Sequence, residues 1–267
     1  MFRALAASVA AIVAAVLALA REPALDALAV LLPVDCAGCG APDRALCSAC
    51  RATLTARIRS RVLDDGTRVF AALDYEGAVR RSILALKRDG RTDVARALAV
   101  PLAAAVEAAL RSTSHQSVEL AGVPTARAAH RRRGYDPVAL LLKRAGVHAA
   151  TPLRSVRDHA QQKSLDRERR RSNLAGSMRA RVPLTGRVFI LVDDVVTTGA
   201  TLLEAARAIR VGGGEVLCAV ALANTARRVG DFDASRHKLV TYPDDGATVG
   251  KRGALVIPGS AGGDASR

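Results

Sequence analysis

The sequence is poor in the side chains that stack on nucleic-acid bases, and it is poor in acidic residues. It has 267 residues, no tryptophan and 3% aromatic residues, so base stacking is excluded as its main binding device. Asp and Glu number 25 against 40 Lys and Arg, which leaves a net charge of +15. This excess favours anionic partners such as nucleic acid, phosphorylated metabolites or an acidic membrane surface. A GC-rich genome that encodes arginine in place of lysine is an equally good explanation of that charge.

The hydrophobic content excludes a disordered chain. Half of the residues are hydrophobic and the mean hydropathy is +0.15, which is enough for one core of ordinary size and a smaller appendage.

Residues 4–20 form an almost entirely apolar segment with one charged residue, Arg3, before it. As a membrane helix the segment is short and rich in alanine, and as a signal peptide it has a weakly charged start. An ordinary helix and an upstream extension from a misassigned start codon are the other interpretations. We expect a cytoplasmic protein, because the chemistry indicated further along the chain uses cytoplasmic substrates. Weak membrane contact through residues 4–20 stays an alternative.

Four of the five cysteines form two CxxC pairs: Cys36, Cys39, Cys47 and Cys50. Two residues between thiolates let one tight turn present both sulfurs to the same ion, and two such turns complete a tetrahedron with sulfurs ~2.3 Å from zinc. Four thiolates leave no open coordination position, so we predict a structural zinc site. The alternative, a thioredoxin-like redox pair, requires only one CxxC. Cys218 is predicted to be a small buried hydrophobic residue.

After the cysteines, apolar runs typical of strands alternate with stretches of helical spacing. We predict strands at residues 68–74, 118–123, 187–192 and 215–222, and helices at 24–32, 78–87, 93–110, 137–144 and 201–210. Alternation of this kind indicates an α/β fold with a mostly parallel sheet flanked by helices.

The predicted strand 187–192 leads directly into two adjacent acids and a threonine-rich turn. The string is Asp193, Asp194, Val195, Val196, Thr197, Thr198, Gly199, Ala200 and Thr201. Acids at the carboxyl end of a buried strand stand where open α/β sheets bind ligands, and they can accept hydrogen bonds from vicinal hydroxyls such as those of ribose. The turn offers backbone N–H groups, hydroxyls and the positive end of a helix dipole, which suit a monophosphate.

A solvated strand end followed by a threonine helix cap is the alternative interpretation of this string. It accounts for Thr198 or Thr201 but not for the whole string. The string also lacks the lysine of a GxxxxGK[ST] loop, so a nucleoside triphosphatase site is not indicated. We therefore predict that the string binds a sugar phosphate.

Residues 192–201 resemble the phosphoribosyl-pyrophosphate (PRPP) binding loop of type I phosphoribosyltransferases. Together with the CxxC pairs, they make the chain similar to the ComF family, which is associated with competence and includes GntX-like proteins. Residues 75–91 and 123–135 also resemble that family, although Thr125 and Ala126 replace a second proline. The spacing of Gln162, Leu165, Arg170 and Asn173 matches as well.

The resemblance implies a type I phosphoribosyltransferase fold with a small N-terminal zinc ribbon, binding PRPP with Mg²⁺. It divides the chain into an apolar helix or extension (1–23), a zinc ribbon region (24–66), a phosphoribosyltransferase-like domain (67–228) and a polar tail (229–267). Asp193 and Asp194 would hold the ribose hydroxyls, and residues 197–201 the 5′-phosphate. The implied pyrophosphate or hood residues are Val123, Pro124, Arg131, Arg133 and Arg170.

Residues 154–173 form a basic segment with seven Lys and Arg against three Asp and Glu. The resemblance implies a mobile hood that closes over the pyrophosphate. An exposed amphipathic helix and a DNA-contacting strip are the alternatives.

Three functions stay open at this point. The first is an enzyme that transfers the phosphoribosyl group from PRPP to a nitrogen acceptor, with no residue assigned as general base. The second is a non-catalytic DNA-uptake accessory that binds single-stranded DNA or competence proteins, and the third is a PRPP sensor. The resemblance also raises a homodimer as an alternative to a monomer.

Overall fold

The structure is a computed structural model and describes residues 34–42, 44–115, 117–156 and 174–225. The predicted apolar segment 4–20, the predicted helix 24–32, most of the basic segment 154–173 and the tail 229–267 lie outside the described residues. Within the described part, no helix combines the length and the apolar character needed to cross a bilayer.

A five-stranded, mostly parallel sheet forms the centre of the fold. Its strands are β1 (Arg59–Val62), β2 (Arg68–Asp74), β3 (Glu119–Gly122), β6 (Val188–Val196) and β7 (Glu215–Asn224), and a separate two-stranded sheet contains β4 (Leu153–Ser155) and β5 (Met178–Ala180). The order in the large sheet is β1-β2-β7-β6-β3, with β1 antiparallel to β2 and the other pairs parallel. The predicted α/β class with a mostly parallel sheet is therefore confirmed.

Helices cover both faces of this sheet. The α-helices of the described residues are α1 (Ser48–Ala52), α2 (Gly77–Arg88), α3 (Ala95–Arg111), α4 (Arg127–Arg133), α5 (Pro137–Arg144) and α6 (Ala200–Val211). Apolar side chains of α2, α3 and α5 form a core on one face, and those of α6 form a core on the other. Because both faces are covered, the central strands β6 and β7 carry long apolar runs, residues 188–192 and 216–223.

Alternation along β6 decides which face each of its side chains meets. Ile190 and Val192 pack in the α2–α3 core, whereas Phe189 and Leu191 pack in the α6 core. Successive side chains of a strand point to opposite faces. Asp194, two residues beyond Val192, is therefore directed to the face covered by α2 and α3.

The β4–β5 hairpin packs against α6 and is tied to it by a buried carboxylate. Glu204, 4% exposed, accepts a hydrogen bond from the Met178 N–H at 2.9 Å and pairs with Arg207 at 2.7 Å. Residues 157–173, which hold most of the predicted hood, connect the two strands of this hairpin. The two described strands that flank residues 157–173 in the chain therefore lie beside the helix that follows the acid string.

The predicted elements are found with small shifts, and one shift concerns the site. Strand β2 and helix α5 have the predicted bounds. Strand β6 continues to Val196 instead of ending at residue 192, so both acids lie in the strand and not in the turn. Strand β1, helix α4 and the hairpin were not predicted, because they are short and carry no apolar periodicity that marks them in the sequence.

Candidate functional site

The acid string lies at the carboxyl edge of the sheet. Strand β6 lies between β3 and β7, and Asp193 pairs with Ala221 of β7. After Val196 the chain turns through residues 197–199, the β6–α6 turn, into α6. This edge is where open α/β sheets bind ligands.

The β6–α6 turn presents the amino end of α6. Gly199 occupies the N-cap position with φ +84°, a left-handed conformation that glycine adopts without strain. The Thr198 hydroxyl oxygen accepts a hydrogen bond from the Ala200 N–H at 3.3 Å, and Thr197 is exposed. N–H groups of the first helical turn and the positive end of the helix dipole therefore lie beside exposed threonine, as an anion site requires.

The two acids differ in their surroundings. Asp194 is buried and forms an ion pair with Lys87, whose Nζ lies 2.9 Å from both Oδ1 and Oδ2. Asp193 accepts the backbone N–H of Asp194 through Oδ1 at 2.8 Å. Burial, together with the neighbouring charge of Asp194, raises the pKa of Asp193 to about 7. Asp194 is therefore a charge-compensated carboxylate, and Asp193 titrates near neutral pH.

Lys87 is brought to the acids by contacts at the carboxyl end of α2. The Tyr135 hydroxyl donates to the Leu86 carbonyl oxygen, and Arg133 Nη1 donates to the Lys87 carbonyl oxygen at 3.5 Å. Burial opposes the charge of Lys87, but the attraction of Asp194 outweighs it and raises the lysine pKa. Lys87 is therefore a cation whose carbonyl oxygen accepts a hydrogen bond from Arg133 and whose side chain pairs with Asp194.

Strand β1, at one edge of the sheet, and the residue that follows it contact the β6–α6 turn. Arg61 Nη2 donates to the Thr197 carbonyl oxygen at 2.6 Å. A Cβ atom placed on Gly199 would lie 2.5 Å from Leu63 Cδ2, so Leu63 packs directly against the turn. Arg61 of this edge strand and Leu63, which follows the strand, therefore contact the turn directly.

The four N-terminal cysteines form a compact group. The sulfur atoms of Cys36, Cys39, Cys47 and Cys50 all lie within 4.8 Å of one another. Backbone N–H groups of Cys47 and Cys50 point to the sulfurs of Cys36 and Cys47 at 3.3 and 3.4 Å. The group therefore combines four converging thiols with donors that stabilise thiolates, which fits a zinc ion.

The surroundings shift the pKa values of two of these thiols in opposite directions. Burial raises the pKa of Cys36, but backbone hydrogen bonds from Cys47, Cys39 and Gly38 outweigh it and lower that pKa to about 6. Burial and the neighbouring thiols raise the pKa of Cys50 to about 12. Four thiolates this close repel one another, and a divalent ion removes that repulsion.

The cysteine group packs against α2 at the end opposite Lys87. A Cβ atom on Gly38 would lie 2.6 Å from the Cys50 sulfur and 3.2 Å from the Ala78 Cβ. Arg81 Nε donates to the Gly38 carbonyl oxygen. One helix therefore contacts the cysteine group near its start and the acids near its end.

Comparison with known proteins assigns the family. Residues 46–244 match the family model described as phosphoribosyl transferase domain. The chain belongs to the phosphoribosyl transferase domain family. The DNA utilization protein YhgH of Escherichia coli strain K12 is 32% identical over 152 residues, which are 55% of this chain and 67% of the relative. The protein of that name from Salmonella typhimurium gives the same values, and the resemblance to the ComF family is confirmed.

The phosphoribosyltransferase domain brings many of the predicted site residues together. Residues 193–201 all lie at the carboxyl edge of β6 or at the start of α6. The loop after β3 begins beside them, because the Val123 N–H donates to the Val192 carbonyl oxygen at 2.9 Å, and half-buried Pro124 follows. Arg133 contacts the end of α2, and Arg131 is exposed on α4. Arg170 lies outside the described residues.

Three residues of this site were not predicted from the sequence. Lys87, Arg61 and Leu63 reach the acids and the β6–α6 turn from distant parts of the chain. Lys87 lies in a stretch that resembles the ComF family, which was the one available signal. Nothing in the sequence distinguishes Arg61 or Leu63 from other residues of their types.

Proposed function

We propose that this chain binds PRPP at the carboxyl edge of β6. The observation that carries the proposal is the spatial order of the groups at that edge. Two adjacent carboxyl groups are followed by a turn and then by the amino end of α6. Family membership supports the same substrate. Because PRPP is a cytoplasmic metabolite, the proposal includes a cytoplasmic location.

In the proposed complex, each group of the edge has a separate task. Asp193 and Asp194 accept hydrogen bonds from the ribose hydroxyls, and residues 197–201 bind the 5′-phosphate through N–H and hydroxyl groups. The loop from Val123 lies next to the acids and takes the pyrophosphate. Binding both ends of the substrate fixes the anomeric carbon between them, which is the orientation effect that catalysis of this kind requires.

We further propose transfer of the phosphoribosyl group to a nitrogen acceptor. The bond between the anomeric carbon and the pyrophosphate oxygen breaks with its electron pair on pyrophosphate, a carbon–nitrogen bond forms, and the nitrogen loses a proton. Hydrogen-bond donors and positive charges stabilise the leaving pyrophosphate most when the site around them excludes water. A basic hood over the site has that role in this proposal.

Two metal ions belong to the proposal. Mg²⁺ prefers oxygen ligands and is commonly bound through substrate phosphates, and the carboxylates of this edge fit that preference. When bound with the substrate, it neutralises charge on the leaving pyrophosphate. Zn²⁺ is held by Cys36, Cys39, Cys47 and Cys50 and has a structural role.

Calorimetric titration tests the binding part. Wild-type protein should bind PRPP with Mg²⁺ and bind it more weakly without the ion, and Asp193→Asn combined with Asp194→Asn should abolish binding. Asp74→Asn is the matched control, because Asp74 also ends a strand at this edge but pairs with Arg59 at 3.0 Å. Unchanged affinity in the double variant would show that the site is assigned wrongly.

Turnover is measured separately from binding. Release of labelled pyrophosphate from PRPP in the presence of candidate nitrogen bases is expected for an enzyme. Binding without release for every base supports the sensor function instead, and leaves the binding site as proposed.

A second candidate function is binding of single-stranded DNA in a non-catalytic DNA-uptake role. Relatives carry the name DNA utilization protein, and helix α4 has four arginines and one histidine among seven residues. Phosphate neutralisation by such a helix requires no base-reading side chains. Competence proteins are the partners that this function would involve.

Salt-titrated binding of labelled single-stranded DNA tests this candidate. Arg131→Ala with Arg132→Ala should weaken binding and flatten its salt dependence, because both residues are exposed on α4. The double substitution Arg96→Ala with Arg111→Ala on α3 is the control. Equal salt slopes in both double variants would argue against a DNA surface on α4.

A further inference from the structure

A lysine lies against the acid pair. Lys87 Nζ contacts both carboxylate oxygens of Asp194 at 2.9 Å, and the two side chains are 33% and 12% exposed. Ammonium and carboxylate groups are rarely this buried without a partner. The pair therefore places one positive charge directly on the Asp194 carboxylate and near Asp193.

The position of Lys87 is determined by its surroundings and not by helix geometry alone. Tyr135 and Arg133 donate to the carbonyl oxygens of Leu86 and Lys87. These contacts join the carboxyl end of α2 to the segment that follows β3. Lys87 is thus presented to Asp194 by the segment that follows β3, whose first residue also hydrogen-bonds to β6.

Two physical arguments connect this lysine to the proposed substrate. An ionised carboxylate has about four lone-pair positions, so Asp194 keeps acceptor capacity for a hydroxyl while it binds Lys87. The second argument concerns charge. PRPP is a polyanion, and an uncompensated carboxylate beside it would oppose its binding, whereas Lys87 compensates the charge of Asp194.

We propose that Lys87 is a positioning residue of the substrate site. It orients Asp194 toward the ribose hydroxyls and neutralises one of the two carboxylate charges beside the bound anion. This inference rests on the proposed PRPP site and adds a residue to it. An ion pair that served stability alone would be replaceable by apolar side chains at little cost, and it would not change ligand affinity.

The test measures affinity for PRPP with Mg²⁺ and for ribose 5-phosphate, which has the sugar but no pyrophosphate. Lys87→Met should weaken both ligands by about 10- to 100-fold, the range expected for loss of a charge-assisted hydrogen bond. Lys87→Arg should restore most of the affinity, because it returns the charge. Lys143→Met, an exposed lysine on α5, is the control and should bind like wild type.

Each outcome bears on the inference. Wild-type affinity in Lys87→Met overturns it, and so does a loss for PRPP alone, because the lysine would then act on pyrophosphate and not through Asp194. If Lys87→Met fails to fold, Lys87→Gln, which keeps a hydrogen-bond donor without the charge, should also weaken both ligands, and wild-type affinity in that variant overturns the inference. Failure of wild-type protein to bind either ligand instead overturns the proposed function, so the two failures are distinguishable.

Discussion

Replacing Gly199 by alanine should damage the β6–α6 turn through two separate effects. The first is conformational, because Gly199 has φ +84°, where a residue with a Cβ atom costs about 1–2 kcal/mol. The second is steric. The new Cβ would lie 2.5 Å from Leu63 Cδ2, and overpacking of this kind costs about 1–3 kcal/mol. Together they predict a destabilisation of about 2–5 kcal/mol.

Gly66→Ala separates the two effects. Gly66 has φ +83°, and a Cβ atom there would meet nothing within 4 Å. This variant should lose only the conformational contribution of about 1–2 kcal/mol. The difference between the two variants, about 1–3 kcal/mol, is then the steric effect of Leu63.

Urea unfolding followed by circular dichroism measures both stabilities, and calorimetry measures binding of ribose 5-phosphate. Gly199→Ala should lose ligand affinity, whereas Gly66→Ala should keep it. Adding Leu63→Ala to Gly199→Ala should cost less than the sum of the single changes, because it removes the clash. Equal stability of the two glycine variants, with ligand affinity intact in both, would refute the reasoning.

Three other buried groups give predictions of their own. Because the pKa of Asp193 rises from 3.8 to about 7, the folded protein keeps a proton on Asp193 that the unfolded chain releases. The free energy of unfolding should therefore fall between about pH 4 and about pH 7. Asp193→Asn should show a smaller fall over that pH range, and an equal fall would contradict the argument. Burial raises the pKa of Glu204, but hydrogen bonds from Arg207 and from the Met178 backbone outweigh it and lower that pKa. Glu204→Gln should therefore cost about 1–2 kcal/mol at neutral pH, a figure reduced because Arg207 is 42% exposed. That cost should shrink as the pH falls through the lowered pKa, and a constant cost would contradict the assignment. Burial raises the pKa of Cys218 to about 12, so after chelation a thiol reagent should label exposed Cys39 in native protein and Cys218 only after unfolding. Labelling of Cys218 in native protein would contradict this.

The predictions that matched the structure rest on local sequence. Strand β2 and helix α5 have the predicted bounds because each carries its own signal, an apolar run in one and a start at Asp136 and Pro137 in the other. The Asp136 side chain indeed accepts the Ala139 N–H at 3.0 Å. Strand β1 and helix α4 carry no such signal; β1 pairs with β2, and Arg133 of α4 donates to the Lys87 carbonyl oxygen of α2.

By itself, the sequence determined the parts of the site that are contiguous: the acid string between a buried strand and a helix, and the two CxxC pairs. Spacing decides these because neighbouring residues must share one turn or one strand end. Only the tertiary structure decided that Lys87 and Arg61 join the string, from 107 and 136 residues away. Contacts of that kind depend on strand order and helix packing, and these place α2 over Asp194 and β1 beside Thr197.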